Sequence, residues 1–289
     1  MFIILLDIQI INMIEHQKVA VVTGSSSGIG LEISSMLARN GFKTYATMRN
    51  LTKSSELQAI ADNEKLPLKI SQLDVADDKS VNDAIQSIFD ESNRIDVLVN
   101  NAGYGLTGAL EDLTMDEIKS QYETNVFGLI RTTQSVIPIM RKQKSGTIVN
   151  ISSGLGRFGI AASSAYVSSK FAVEGLSEAM SYELEPFGIR TIIIEPGVIK
   201  TNFINSSILA KKSQDPDSPY SQLIKGMKSG MDKLVGNGAL PAYVAKVVVN
   251  AIGDKNPKVR YLAGNDVEKI IAMKSKMSDE DFHNMIKQN

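Results

Sequence analysis

There is no cysteine and no tryptophan among the 289 residues, and only two histidines, His16 and His283, one near each end. The missing thiols exclude disulfides, thiolate metal centres and cysteine nucleophiles. Two histidines so placed disfavour a histidine metal site and a compact Ser-His-Asp triad, so no metal is expected. Neither charge is in excess: 31 basic residues stand against 32 acidic ones, for a formal net charge of -1. Nothing therefore favours a nucleic-acid partner, which usually meets a basic face. Nor is there a run suited to crossing a bilayer. The opening stretch MFIILLDIQIINMI is apolar but too short, and Asp7 interrupts it. It lacks a basic n-region and a small-residue cleavage site, so it does not read as a signal peptide. Residues 1–16 form an extension with three readings open: a tail or overlong start before Met13, an element packed on a neighbour, or a membrane-surface anchor. No integral membrane protein is implied, and a cytoplasmic location is expected.

What is present is the composition of a folded domain, with 43% hydrophobic and 22% charged residues. The run KVAVVT at 18–23, followed by glycines, reads as a buried strand. Residues 29–40 place Ile29, Ile33, Met36 and Leu37 at helical spacing, and Gly41 ends the helix. A second strand is expected at 43–47. Further strands fall near 68–73, 95–99, 146–151 and 189–194, with a seventh at 258–262. Helices fall near 53–62, 77–92, 114–141 and 165–185. Strands alternating with helices imply an α/β fold, a doubly wound parallel sheet with helices on both faces. Continuously apolar runs such as VLVN and TIIIEP suit strands buried on both faces. The segment 200–240 is polar, carries Pro216 and Pro219 and lacks a clear strand. It is expected as a mobile insertion over the carboxyl ends of the strands, where ligands of such sheets sit.

The first strand runs into Thr23-Gly24-Ser25-Ser26-Ser27-Gly28-Ile29-Gly30, where a helix begins. Glycines permit the tight turn and let a diphosphate approach the backbone, and the helix N-terminus offers free N–H groups. The same letters match the G-x-S-x-G nucleophile elbow. That alternative needs a histidine base, and only His283 lies downstream, in the last seven residues and on a segment with no evident docking. A second pattern, Gly154-Leu155-Gly156-Arg157-Phe158-Gly159, matches G-x-G-x-x-G but is weak alone and reads as site loop. After the second strand the chain runs Tyr45-Ala46-Thr47-Met48-Arg49-Asn50. Folds that prefer NAD usually carry an acid there for the ribose 2′-OH. Met48 stands in that slot, and the Arg49 guanidinium suits a 2′-phosphate. NADP(H) is therefore the expected cofactor, with NAD(H) second.

These motifs, with Asp74-Val75, Asn101-Ala102-Gly103, Asn125, Ser153, Tyr166-x-x-x-Lys170, Pro196-Gly197 and Thr201, stand in an order that resembles the classical short-chain dehydrogenases/reductases (SDR). The resemblance covers about residues 17–262, with a substrate loop at about 200–240. A helical tail at 263–289 and the extension at 1–16 depart from it. Locally, TYATMRN with Leu51 is similar to the 17β-hydroxysteroid and retinol dehydrogenase-like subgroup. The resemblance implies a single-domain Rossmann-type fold, a homodimer or homotetramer, and an oxidoreductase acting on a carbonyl or secondary alcohol. It places Asp74 and Val75 at the adenine, Asn101 to Gly103 along the adenosine, and Pro196, Gly197, Ile199 and Thr201 at the nicotinamide. It makes Ser153 the hydrogen-bond donor to the reacting oxygen, with Ser152 as its neighbouring competitor. It also makes Asn125 the support for a water relay to Lys170.

The Tyr-Lys pair makes chemical sense without the name. Residues four apart on a helix share one face. A free tyrosine has a pKa near 10, too high for an efficient base at neutral pH, and a nearby ammonium is expected to lower it. Tyr166 is thus the expected general acid/base, and Lys170 also suits the ribose hydroxyls. Leu155, Phe158, Ile160, Phe203, Ile204, Leu209 and Leu223 suggest a fairly apolar substrate pocket, and several of them also suit a core. The rival from another class is an NADP(H)-binding regulatory protein with the same fold and no turnover. For assembly, Val126, Leu129, Ile130, Phe171, Leu176, Met180 and Leu184 are expected to exceed what one sheet face requires.

Overall fold

The structure, a computed structural model, describes residues 17–201 and 207–288. Expectations for residues 1–16 and for Phe203 and Ile204 lie outside the described residues.

Seven strands form one parallel sheet: β1 (Val19–Val22), β2 (Lys43–Met48), β3 (Leu68–Gln72), β4 (Val97–Asn100), β6 (Gly146–Ile151), β7 (Ile189–Pro196) and β9 (Arg260–Ala263). Their order across the sheet is β3-β2-β1-β4-β6-β7-β9. The chain therefore winds outward from β1 to β3, then returns and winds the other way from β4. The reversal leaves a crevice at the carboxyl ends of β1 and β4, the usual ligand position in such sheets. Alternation along the strands divides the core into two layers. Val19 and Val21 pack with α3 (Asp78–Ser92), α5 (Gly128–Gln143) and α6 (Ser164–Leu184) on one face. Ala20 and Val22 pack with α1 (Gly28–Arg39) and α8 (Pro241–Gly253) on the other. A smaller cluster joins α1 to α2 (Ser55–Glu64) through Leu31, Met48 and Leu57.

Three regions differ from the sequence-based expectation. The single helix expected at 114–141 is three pieces: α4 (Met115–Tyr122), a π-helical segment (Glu123–Phe127) and α5. A Thr114–Glu117 capping box starts α4. The extra residue per turn in the π segment re-aims its side chains, and Asn125 is one of them.

The insertion after residue 200 is tied down. Ile208–Leu209 (β8) pairs in parallel with Leu106–Thr107 (β5), and Ser221–Gly236 forms helix α7. The second Glu117 carboxylate oxygen accepts from the Lys211 N–H at 3.0 Å. Buried Asp112 accepts from Ser218 Oγ at 2.8 Å and Ser213 Oγ at 3.2 Å.

The tail is also docked, as helices α9 (Asn265–Lys274) and α10 (Asp279–Gln288). Phe282 is buried, and its ring meets Phe158 edge-on at 5.7 Å between centroids. Among the described residues no helix is long and apolar enough to cross a membrane.

Candidate active site

The glycine loop is built by close backbone approach. Gly24 has φ +70°, and a Cβ on it would lie 2.8 Å from the Ala102 Cα. A Cβ on Gly30 would collide with the Gly24 carbonyl oxygen and the Asn101 amide. The Asn101 side-chain amide spans the crevice, donating to the carbonyls of Thr23 (2.9 Å) and Gly24 (3.1 Å). The Thr23 hydroxyl accepts from the N–H groups of Asn101 and Ala102, both at 3.1 Å. The ends of β1 and β4 are thus fastened together. Ser25 is buried and bonded within the turn, donating to the Val22 carbonyl at 3.0 Å and accepting from Ser34 at 2.9 Å. Ser26 is half-buried, and Ser27 is exposed at the N-cap of α1, where its side chain makes no cap bond. No acidic residue occupies the first turn of α1. An uncapped helix start above a cradle that any Cβ would fill fits the diphosphate of a dinucleotide. Gly28 and Ile29 open that helix, and Thr201 approaches Gly28 from the far side of the crevice.

Two residues at the end of β2 sort differently from the sequence-based picture. Met48 is buried at 2% exposure in the cluster with Leu31, Ala46 and Leu57. Arg49 is exposed at the strand end, its carbonyl held by Gln72 Nε2 at 3.1 Å. One strand further, Asp74 turns its carboxylate onto the Ala76 N–H at 3.0 Å, while Asp77 caps α3 by accepting from the Ser80 N–H at 2.8 Å. Asp77, and not Asp74, is therefore the cap of α3. Val75 is buried, and its carbonyl accepts from Arg131 at 2.6 Å.

Beyond the glycine loop the catalytic candidates converge. Ser153 follows β6, and its hydroxyl hydrogen-bonds Tyr166 on α6. Ser152 is buried, and its hydroxyl has no hydrogen-bond partner among the described residues. Lys170 lies one turn beyond Tyr166, with Nζ 5.7 Å from the centre of the Tyr166 ring and donating to the Ile151 carbonyl at 2.9 Å. The Asn125 side chain clasps the Tyr104 backbone, accepting from its N–H at 3.1 Å and donating to its carbonyl at 3.0 Å. Its amide also lies 3.3 Å from Ser169 Oγ, beside Lys170 in sequence. Gly103 packs beside this amide, which joins the Asn101 to Gly103 turn to the catalytic side.

The electrostatics correct one expectation. Burial pushes the Tyr166 phenol up to about 12, with the Ser153 hydrogen bond acting the other way. Burial pushes the Lys170 ammonium down to about 8, opposed by the nearby Glu174 carboxylate. In the protein alone the phenol is therefore held protonated, not poised as a phenolate. Desolvation of the charged form outweighs the Ser153 hydrogen bond here.

On the far side, Pro196 closes β7 against Ala263, and the Gly197 N–H donates to the Ala263 carbonyl at 3.2 Å. Ile199 is buried, in the core cluster that also holds Val244. Sequence reasoning missed Asp266. Its carboxylate accepts from the Val198 N–H at 2.7 Å and so fixes the Pro196–Gly197 turn from the start of α9. It missed Arg131 as well, which ties the Val75 carbonyl to Asp78 and Glu123. Neither carries a local signal, because each acts across a long stretch of chain.

Residues 18–212 match the model of the adh_short family, short chain dehydrogenase. The chain is 35% identical over 274 residues to retinol dehydrogenase 8 of Bos taurus, covering 91% of this chain and 86% of that protein. The crystal structure of a short-chain dehydrogenase from Streptomyces avermitilis superposes with a TM-score of 0.80 at 31% identity, covering 90% of this chain and 93% of that one. The closed form of a serine dehydrogenase complexed with NADP+ gives a TM-score of 0.73 at 26% identity, covering 85% and 94%. With the glycine cradle, the Ser153–Tyr166–Lys170 grouping and these likenesses together, the chain belongs to the short-chain dehydrogenase family of oxidoreductases.

Proposed function

We propose that this chain is an NADP(H)-dependent oxidoreductase interconverting a carbonyl and a secondary alcohol, with Tyr166 as general acid/base. The observation that carries the proposal is the shared hydrogen bond of Ser153 and Tyr166 beside the Lys170 ammonium. Two hydroxyls so paired converge on one acceptor, as the oxygen of a carbonyl requires. In reduction, Ser153 and Tyr166 donate to that oxygen and orient the carbonyl. A nicotinamide cofactor held at the glycine loop would supply the hydride. Tyr166 gives its proton to the oxygen, and Lys170 stabilises the phenolate left behind. A phenol held at about 12 is fully protonated at neutral pH and so ready for this direction. Asn125 holds the Tyr104 backbone and Ser169 in place next to Lys170.

The glycine loop from Gly24 to Gly30 would hold the diphosphate. Asp74, Val75 and Asn101 to Gly103 would line the adenosine, and Pro196, Gly197, Ile199 and Thr201 the nicotinamide. Exposed Arg49 suits the 2′-phosphate that separates NADP from NAD. The substrate is read as fairly apolar, from Leu155, Ile160 and Leu209 along the loop and insertion, and retinol dehydrogenase 8 is a relative whose name carries an apolar alcohol. Phe158 belongs to the docked tail as much as to the pocket.

A cytoplasmic homodimer or homotetramer completes the proposal. Of the residues expected to serve assembly, Val126, Leu129, Met180 and Leu184 are core. Phe127 and Phe171, 48% and 46% exposed on neighbouring helices, support the pairing face instead. The test is loss of NADPH absorbance with a panel of ketones, aldehydes and quinones. Turnover of an apolar carbonyl is expected. Tight NADPH binding with no turnover on any substrate would favour the regulatory alternative.

A further inference from the structure

Behind Lys170 lies a buried ionic cluster that the proposed chemistry does not use. Glu174, one turn further along α6, is 5% exposed. One of its carboxylate oxygens accepts from Arg260 Nε on β9 at 2.8 Å. The other has no hydrogen-bond partner among the described residues. Glu195 on β7, 1% exposed, accepts from Arg157 at 3.0 Å and stands 3.8 Å from Arg260. Glu178, on the next turn of α6, also bonds Arg260. Arg157 and Arg260 thus stand against Glu174, Glu178 and Glu195, and Lys170 lies one turn before Glu174 on α6.

Gly156 is where this cluster meets the site. A Cβ there would lie 2.9 Å from both Glu174 Cγ and Ser152 Oγ, and 3.2 Å from the Lys170 carbonyl oxygen. Ser152 Oγ is itself buried without a partner among the described residues. The glycine of the 154–159 pattern therefore admits a carboxylate directly behind the Lys170 turn. This accounts for a motif that the dinucleotide site leaves unused.

We propose that Glu174 is a positioning residue for the reaction: gripped by Arg260 from β9, it supplies the countercharge that keeps the Lys170 ammonium in place against the Ile151 carbonyl. A lone buried ammonium loses its charge readily, because desolvation disfavours the ionised form. Lys170 is pushed down only to about 8, and Glu174 is the group that opposes the fall. Burial and then Glu174 push the Glu195 carboxyl up, with Arg157 and Arg260 acting the other way. The C-terminal strand, through Arg260, thereby acts on the proton-handling side of the site without touching substrate.

The inference rests on the acid/base role proposed for Tyr166 and Lys170, and its test separates the two. Lys170 in 13C-lysine-labelled protein is titrated by NMR without cofactor, in wild type and in Glu174→Gln. The pH profile of kcat/KM for carbonyl reduction is then measured for both. Removing the carboxylate lowers the Lys170 midpoint, so the alkaline limb moves to lower pH. A shift of about one pH unit corresponds to a roughly tenfold loss of kcat/KM well above the midpoint, with little loss at about pH 6. Glu174→Asp, which keeps the charge, should restore most of the limb. Glu178→Gln, which takes a carboxylate from the same arginine but two turns from Lys170, should leave it in place. If the Gln variant does not fold, Glu174→Met serves, being close in volume and free of unpaired polar atoms. An unchanged Lys170 midpoint in a folded Glu174 variant overturns the inference. Full activity of Tyr166→Phe would instead overturn the acid/base role, while the NMR titration still decides what Glu174 does to Lys170.

Discussion

The first hundred residues and the last ninety form opposite walls of one crevice, and they are built on different physics. The first wall is made by backbone. Gly24 and Gly30 let β1, α1 and the Asn101 turn meet without side chains between them, and Thr23 and Asn101 fasten the contact. The second wall is made by side chains reaching across sequence. Asp266 holds Val198, Phe282 covers Phe158, Asp112 anchors Ser218, and Arg260 grips Glu174. A wall of backbone tolerates almost no substitution at its contact points. A wall of side-chain ties tolerates changes in identity as long as each tie has a partner. A family that keeps one cofactor class and varies its substrates is served by that division.

The backbone wall should break first. Gly30→Ala puts a methyl group into the Gly24 carbonyl and the Asn101 amide. Dinucleotide binding, followed by fluorescence titration, should weaken by about a hundredfold or more, since overpacking costs about 1–3 kcal/mol and the displaced loop loses its phosphate contacts as well. Near-normal binding would show that the loop does not need its tight approach.

A smaller effect is expected where a side chain serves the first wall. Arg49→Ala should remove a charge-assisted contact of about 1.5–3 kcal/mol, and with it about ten- to a hundredfold of NADPH preference over NADH. The ratio of the two kcat/KM values measures it. A preference that survives the substitution assigns the phosphate to another residue.

The side-chain wall should respond in graded fashion. Asp266→Ala leaves the Val198 N–H without its acceptor, and kcat/KM should fall about tenfold, consistent with a bond to a charged group of about 1.5–3 kcal/mol. Thermal unfolding should change little, because Asp266 is exposed. Smallest of all, Phe282→Ala should release α10 locally. Removing a packed ring costs about 3 kcal/mol, but at a chain terminus the loss appears as local opening and not as global unfolding. Hydrogen exchange in 279–288 should rise, with kcat/KM changed only a few-fold. A large loss of global stability would mean that the tail is part of the core.

The two walls also differ in how legible they are in sequence. The glycine spacing, the apolar strand runs, the Asp77 cap and the i,i+4 pairing of Tyr166 with Lys170 are local signals, and the structure forms each of them. The π segment around Asn125 leaves no local trace, and the bonds of Asn125 there reach Tyr104 and Ser169, far off in sequence. The docking of the tail is invisible in sequence because Phe158 and Phe282 are 124 residues apart. The burial of Met48 depends on α2 lying over β2, which the spacing of one strand does not reveal. The direction of the Tyr166 shift escapes sequence reading for a related reason. The Tyr166–Lys170 spacing can be read from sequence, whereas the depth of burial that sets the shift cannot.

Proton handling by Tyr166 stands at the centre of the proposed chemistry. Tyr166→Phe keeps the ring and removes only the hydroxyl that bonds Ser153. General acid–base groups contribute about 10²–10⁴-fold, so kcat should fall by at least about a hundredfold while the NADPH dissociation constant stays within about threefold of wild type. Single-turnover reduction of a good apolar ketone, with NADPH binding measured on the same preparation, reads both quantities. A Tyr166→Phe variant that turns over at near wild-type rate would contradict that role at its root.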